Sequence, residues 1–246
     1  MGEAAGVTDA VAAAFAGAIA LPVAILIDAA ARPLALEWVH LANDDQNDGA
    51  EAQAMPNSAD APLPYLLGPG SSIRRALVVS ATVLVFVVLG LQYGWSWRLP
   101  VVTVYAAILL ACSVTDFLVH RIPNVFVFPA TAFALAIGAF APGADLPDVL
   151  LGGAISGGAL LLMVLVPGSG TGIGDVKLAL FTGLALGAEL AFAALIIGMV
   201  LGGLAALGLL VRRYFKGGGR YMAYGPYLAL GALLMFAFRG TAFVRL

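Results

Sequence analysis

The chain has 246 residues, 62% of them hydrophobic and only 11% charged, and a mean hydropathy of +1.01. A soluble domain carries about 25% charged residues, so this composition excludes an ordinary water-soluble globule and points to a chain that crosses a bilayer repeatedly. A net charge of −2 leaves no basic footprint for nucleic acid, and a single cysteine, Cys112, excludes a disulfide framework or a cysteine zinc site.

Crossing a bilayer as a helix takes about 20 apolar residues, with about 17 at the short end. Eight runs qualify: 11–31, 76–91, 99–115, 125–141, 149–167, 176–187, 190–211 and 224–238. The expected fold is therefore all-α, a polytopic membrane protein with about eight transmembrane helices. The first run follows an amino terminus with Glu3 and Asp9 and no basic residue before Arg32. It lacks the basic start of a signal peptide and reads as a retained helix, kinked at Pro22. The expected organisation is an N-terminal transmembrane helix over 1–32, a flexible acidic loop over 33–75, and a membrane-embedded core over 76–246.

The loop carries Glu37, Asp44, Asp45, Asp48, Glu51 and Asp60 and no lysine or arginine before Arg74. Its middle is polar, interrupted by Pro and Gly, and poor in residues that build a core. A solvated linker accounts for it; electrostatic steering of a basic partner is the sharper alternative. The sixth run is short and polar at its start, and residues 187–189 predict a tight turn to the seventh. Glycines four apart, Gly153 with Gly157 and Gly198 with Gly202, let helices approach closely and read as packing.

Basic residues orient the chain. With eight crossings and the amino terminus outside, Arg32, Arg74, Arg75, Arg121, Lys177, Arg212, Arg213, Lys216 and Arg220 lie inside. Only Arg98, Arg239 and Arg245 lie outside. The bias puts two aspartates at the inner rim: Asp116 in SVTDFLVHRIPN and Asp175 in GSGTGIGDVKL. Charged groups at this depth are expensive and are usually present for a function.

Gly172 and Gly174 precede Asp175 within a glycine-rich run that lacks the Gly-Lys-Ser/Thr of a phosphate-binding loop and the strand–turn–helix frame of a dinucleotide site. What remains is backbone freedom and no bulk before the carboxylate, where an extended substrate could approach; a flexible connector explains the glycines equally well. Downstream of Asp116, Pro123 and Asn124 set a turn, because Pro123 forces Ile122 towards an extended conformation. Taken alone, Asp116 could be an interface residue beside His120 or Arg121. Two aspartates at same-side helix ends suit a pair that shares one proton. One ionised carboxylate takes a proton from water, and its protonated neighbour donates to the scissile carbonyl. No metal or other cofactor is called for, and His40 and His120 have no ligand spacing. Lys177 either biases which aspartate is ionised or anchors the chain at the interface. Asp28 reads as a helix-contact residue and Cys112 as a small buried hydrophobe.

The order Asp116 with Ile122–Pro123–Asn124, then GIGDVKL, then YGPYLALGA at 224–232 resembles the type IV prepilin peptidases, membrane aspartic peptidases with a Gly-x-Gly-Asp signature. The resemblance covers about residues 100–240. It implies that Asp116 and Asp175 are the catalytic pair. It also implies removal of short basic leaders from prepilins or pseudopilins at the cytoplasmic face of the bacterial inner membrane. Fuller members carry paired Cys-x-x-Cys motifs in the first cytoplasmic loop, and some N-methylate the new amino terminus. Here the loop has no cysteine, so zinc held in that form is excluded and methyl transfer stays open. The competing class is a proton-coupled small transporter using the same aspartates, disfavoured because its acids belong near the bilayer midplane. A third reading, an inactive assembly factor, fits poorly with two intact motifs.

Overall fold

A computed structural model describes residues 2–46, 72–166, 171–216, 223–238, 240–241 and 244–245. Each of the eight apolar runs becomes one helix: α1 Gly2–Gln46, α2 Ser72–Tyr93, α3 Arg98–Val119, α4 Asn124–Phe140, α5 Leu146–Leu165, α6 Ile173–Leu186, α7 Ala188–Lys216 and α8 Gly225–Phe238. The protein is an all-α polytopic membrane protein. Among the described residues five helices are long and apolar enough to cross: α1 over Thr8–Ala31, α2, α3 over Arg98–Leu118, α5, and α7 over Ala188–Val211. Their outer faces bear leucines such as Leu84, Leu162 and Leu204, each more than 60% exposed, which only a hydrocarbon solvent makes favourable.

Helix α1 runs without a break through Pro22 and Pro33 to Gln46, so helix replaces the first part of the segment expected as a loop. The rest of that segment up to residue 71 lies outside the described residues, as do glycines 168 and 170. A two-stranded ladder that hydropathy did not announce follows α8, with Gly240 opposite Arg245 and Thr241 opposite Val244.

Small residues decide the closest helix contacts. A Cβ at Gly90 of α2 would meet the Ala13 backbone of α1 at 2.5 Å. Gly152 of α5 and Gly183 of α6 lie backbone to backbone, so that a Cβ on either would strike the other's carbonyl oxygen. Gly153 and Gly157 seat Leu184 and Leu180, and Gly198 seats the backbone at Leu228, which is the packing role expected of them. Helix α6 has 14 residues, about 21 Å of axial rise against the roughly 30 Å of a hydrocarbon core. It is tolerated because protein surrounds it: every residue from Phe181 to Gly187 is buried. Gly187, at φ 76°, turns the chain directly into α7.

Tyr105 of α3 sits at the hub. Its ring meets Phe133 of α4 at 5.7 Å and Phe181 of α6 at 5.6 Å, both edge-on, and stacks with Phe236 of α8 at 6.0 Å. Tyr93, at the end of α2, donates its hydroxyl to the Phe236 carbonyl at 2.9 Å. These contacts fix α3, α6 and α8 against one another beneath the helix ends that bear the site.

Candidate active site

Asp116 lies in the last turn of α3. The turn closes when the His120 N–H donates to the Asp116 carbonyl at 2.8 Å and His120 enters the left-handed region at φ 52°. Histidine tolerates that region better than most residues, and the reversal throws the chain out towards Ile122 and Pro123. Pro123 is extended (φ −67°, ψ 130°) and starts α4, where its missing N–H does no harm. Ile122 then lies against Gly174, whose Cβ, if present, would be 3.3 Å from the Ile122 Cβ. The absence of bulk at Gly174 is thus used by the chain's own 120–124 turn.

Asp175 is in the first turn of α6. Its Oδ2 accepts the N–H of Gly172, the N-cap residue, at 3.0 Å, so the side chain reaches back over the helix start it belongs to. Asp116 does the same for a different helix. Its Oδ2 accepts the N–H of Gly225, the first residue of α8, at 2.9 Å and across 109 positions of sequence. Both amides are helix-start donors with no acceptor within their own helix backbone, and the positive ends of α6 and α8 are directed at the two carboxylates. Gly225 has to be glycine for this approach, because a Cβ there would come within 2.8 Å of the Asp116 Oδ2. Pro226 follows it in the first turn, where proline is well accepted.

Both aspartates are buried, at 5% and 8% exposure, and the charge of Asp175 acts directly on Asp116. It also acts on the hydroxyl of Tyr224, the residue before Gly225. The two acids, the Gly172–Gly174 backbone and the Tyr224–Gly225 corner therefore meet at one end of the bundle. Asp28, the third buried acid of the spans, is elsewhere. It forms an ion pair with Arg74 at 2.7 Å, supported by Arg75 at 3.6 Å, and ties α1 to α2 as a helix-contact residue.

Lys177 is engaged by α4. Its Nζ donates to the Asn124 Oδ1 at 2.9 Å and stands 5.2 Å from the centre of the Phe128 ring, so it links the starts of α6 and α4. Cys112 is buried and His120 exposed, and His40 lies where only the backbone is described. The residue sequence reasoning passed over is Tyr224. Its motif, YGPYLALGA, enters the sequence reading only through a family likeness, yet a Tyr-Gly-Pro step opening an apolar helix is itself a signal of a shaped helix start.

Residues 103–207 match the model of the type IV leader peptidase family, a stretch that holds Asp116, the 122–124 turn, Gly172, Gly174, Asp175 and Lys177. No curated protein and no solved structure matches the chain. The Tyr224–Gly225 corner, whose Gly225 N–H donates to Asp116, falls beyond the matched residues.

Proposed function

We propose that the chain is an aspartic-type endopeptidase that removes short basic leaders from type IV prepilins or pseudopilins at the cytoplasmic face of the inner membrane. The observation that carries this reading is the convergence of Asp116 and Asp175 on one corner, within reach of each other's charge. Two carboxylates so placed resist ionising together, so one holds a proton while the other acts as base. The ionised member takes a proton from water, whose oxygen bonds to the scissile carbonyl carbon. The protonated member gives its hydrogen to the carbonyl oxygen. The tetrahedral adduct then collapses: the C–N bond breaks, the departing amine takes a proton from the pair, and one hydroxyl of the adduct returns its proton to the pair as the new carboxyl group forms.

Gly172 supplies a backbone edge for an extended leader, Gly174 makes room for the Ile122 turn, and Pro123, Asn124 and Lys177 hold the two acid-bearing helix ends in register. The same-side convergence supports proteolysis over proton-coupled transport, since an acid relay through the bilayer would be spread along the crossing direction. Methylation of the new amino terminus is left out of the proposal.

The test is cleavage of a purified prepilin by the enzyme in liposomes. Wild type removes the leader, and Asp116→Asn and Asp175→Asn, which keep the side-chain shape, each abolish removal. Cleavage by either variant at more than a trace would refute the assignment. Proton-coupled uptake of a solute with no cleavage would replace it with the transporter.

A further inference from the structure

Tyr224 ends the connection into α8 and acts as its N-cap, its carbonyl accepting the N–H groups of Tyr227 and Leu228 at 3.1 and 3.4 Å. Its backbone neighbour Gly225 is the residue bonded to Asp116. Its ring occupies a notch at Gly202 of α7, where a Cβ would come within 2.5 Å of the ring Cε2. The ring is therefore pinned on two sides, by the helix start and by the notch. Its hydroxyl feels the charge of Asp175 and, among the described residues, makes no hydrogen bond, unlike the Tyr93 hydroxyl, which is bonded to the Phe236 carbonyl. A phenol ionises near pH 10, so at neutral pH this hydroxyl is a donor. A held, protonated, uncommitted donor within the field of one of two paired carboxylates is what a developing oxyanion requires.

We propose that the Tyr224 hydroxyl donates a hydrogen bond to the carbonyl oxygen of the scissile peptide as water adds to it. This rests on the peptidase reading and extends it: Tyr224 is a third catalytic residue, outside the segment the family comparison covers. The bond strengthens as charge builds on that oxygen, so it acts on the transition state more than on the bound substrate. No proton need be transferred from the phenol, because the proton balance is kept by the two carboxyl groups.

Tyr224→Phe keeps the ring in its notch and removes only the oxygen. Its expected effect on prepilin cleavage in liposomes is a fall in kcat on the order of a hundred-fold with KM nearly unchanged. A peptide carrying a hydroxyethylene in place of the scissile bond should lose affinity for Tyr224→Phe by a similar factor, which a purely structural ring would not cause. Gly202→Ala moves the hydroxyl from the neighbouring helix and should also lower kcat. Gly203→Ala, whose Cβ meets nothing within 4 Å, serves as its control and should not. A Tyr224→Phe enzyme with the wild-type kcat, or Gly202→Ala as fast as Gly203→Ala, overturns the inference. If Asp116→Asn or Asp175→Asn still cleaves, the peptidase reading fails first. If both are inactive and Tyr224→Phe is not impaired, only the role of Tyr224 falls.

Discussion

Among the described residues three aspartates are buried in the apolar bundle, and their partners separate structure from chemistry. Asp28 is met by the Arg74 guanidinium at 2.7 Å, whereas Asp116 and Asp175 are met by backbone amides. Removing one partner of a buried ion pair strands the other charge, at a cost of about 3–5 kcal/mol. Asp28→Asn is accordingly expected to lower stability by about 3 kcal/mol, read from the unfolding midpoint in mixed micelles. The double change Asp28→Leu with Arg74→Met should recover most of the loss. Equal stability of Asp28→Asn and wild type would show that the pair contributes nothing. For the other two acids the expected signature is in pH. With one carboxylate ionised and one protonated, cleavage falls at low pH as the base takes up a proton and at high pH as the acid loses its own. A kcat/KM profile that only rises to a plateau, as a lone base would give, contradicts a shared proton. Neither contact could be read from the chain, because Asp28 and Arg74 are 46 positions apart and Asp116 and Gly225 are 109 apart. Hydropathy carries no signal for a pairing of that separation.

Elements were far more legible. Each apolar run is a helix, because a chain in hydrocarbon must satisfy its backbone internally and a continuous helix does so locally. What hydropathy missed lies where water takes over: α1 continues to Gln46 and α7 to Lys216, since a helix need not stop at the membrane surface. The short sixth run was readable as weak but not as enclosed. Its partner face is set by Gly152 and Gly183, and only three-dimensional packing tells these from glycines that touch nothing. That difference makes a matched pair of experiments. Gly152→Ala drives a methyl into the Gly183 carbonyl and the Gly187 backbone, with no flexible side chain to give way. It should separate α5 from α6 and lower stability by about 1–3 kcal/mol, an over-packing penalty. Gly158→Ala, on the same helix with nothing within 4 Å, should be neutral or gain up to about 1 kcal/mol of helix propensity. Similar unfolding midpoints for the two variants would mean that the α5–α6 contact does not position α6, and with it Asp175.

At the scale of the whole molecule, the site gathers at the end of the bundle where α3 finishes and α6 and α8 begin. The connection between α2 and α3, with Trp95 and Trp97 exposed, lies at the opposite end of α3, about 30 Å away along the helix. The aromatic hub at Tyr105 lies eleven residues before Asp116, about 16 Å below it, so the acids stand on a packed base rather than on loops. The proposed function places the acid-bearing end in the cytoplasm, in keeping with the lysine and arginine bias, and that placement can be tested. Two single cysteines in a Cys112→Ala background test the assignment. Arg121→Cys lies on the exposed turn beside the acids, and Pro142→Cys lies on the exposed connection between α4 and α5 at the far end. In intact cells with a permeable outer membrane, an impermeant maleimide should label Pro142→Cys and spare Arg121→Cys. Opening the inner membrane should make Arg121→Cys reactive. The reverse pattern would turn the carboxylate pair away from the compartment that holds uncleaved leaders, and no leader peptidase could work from there.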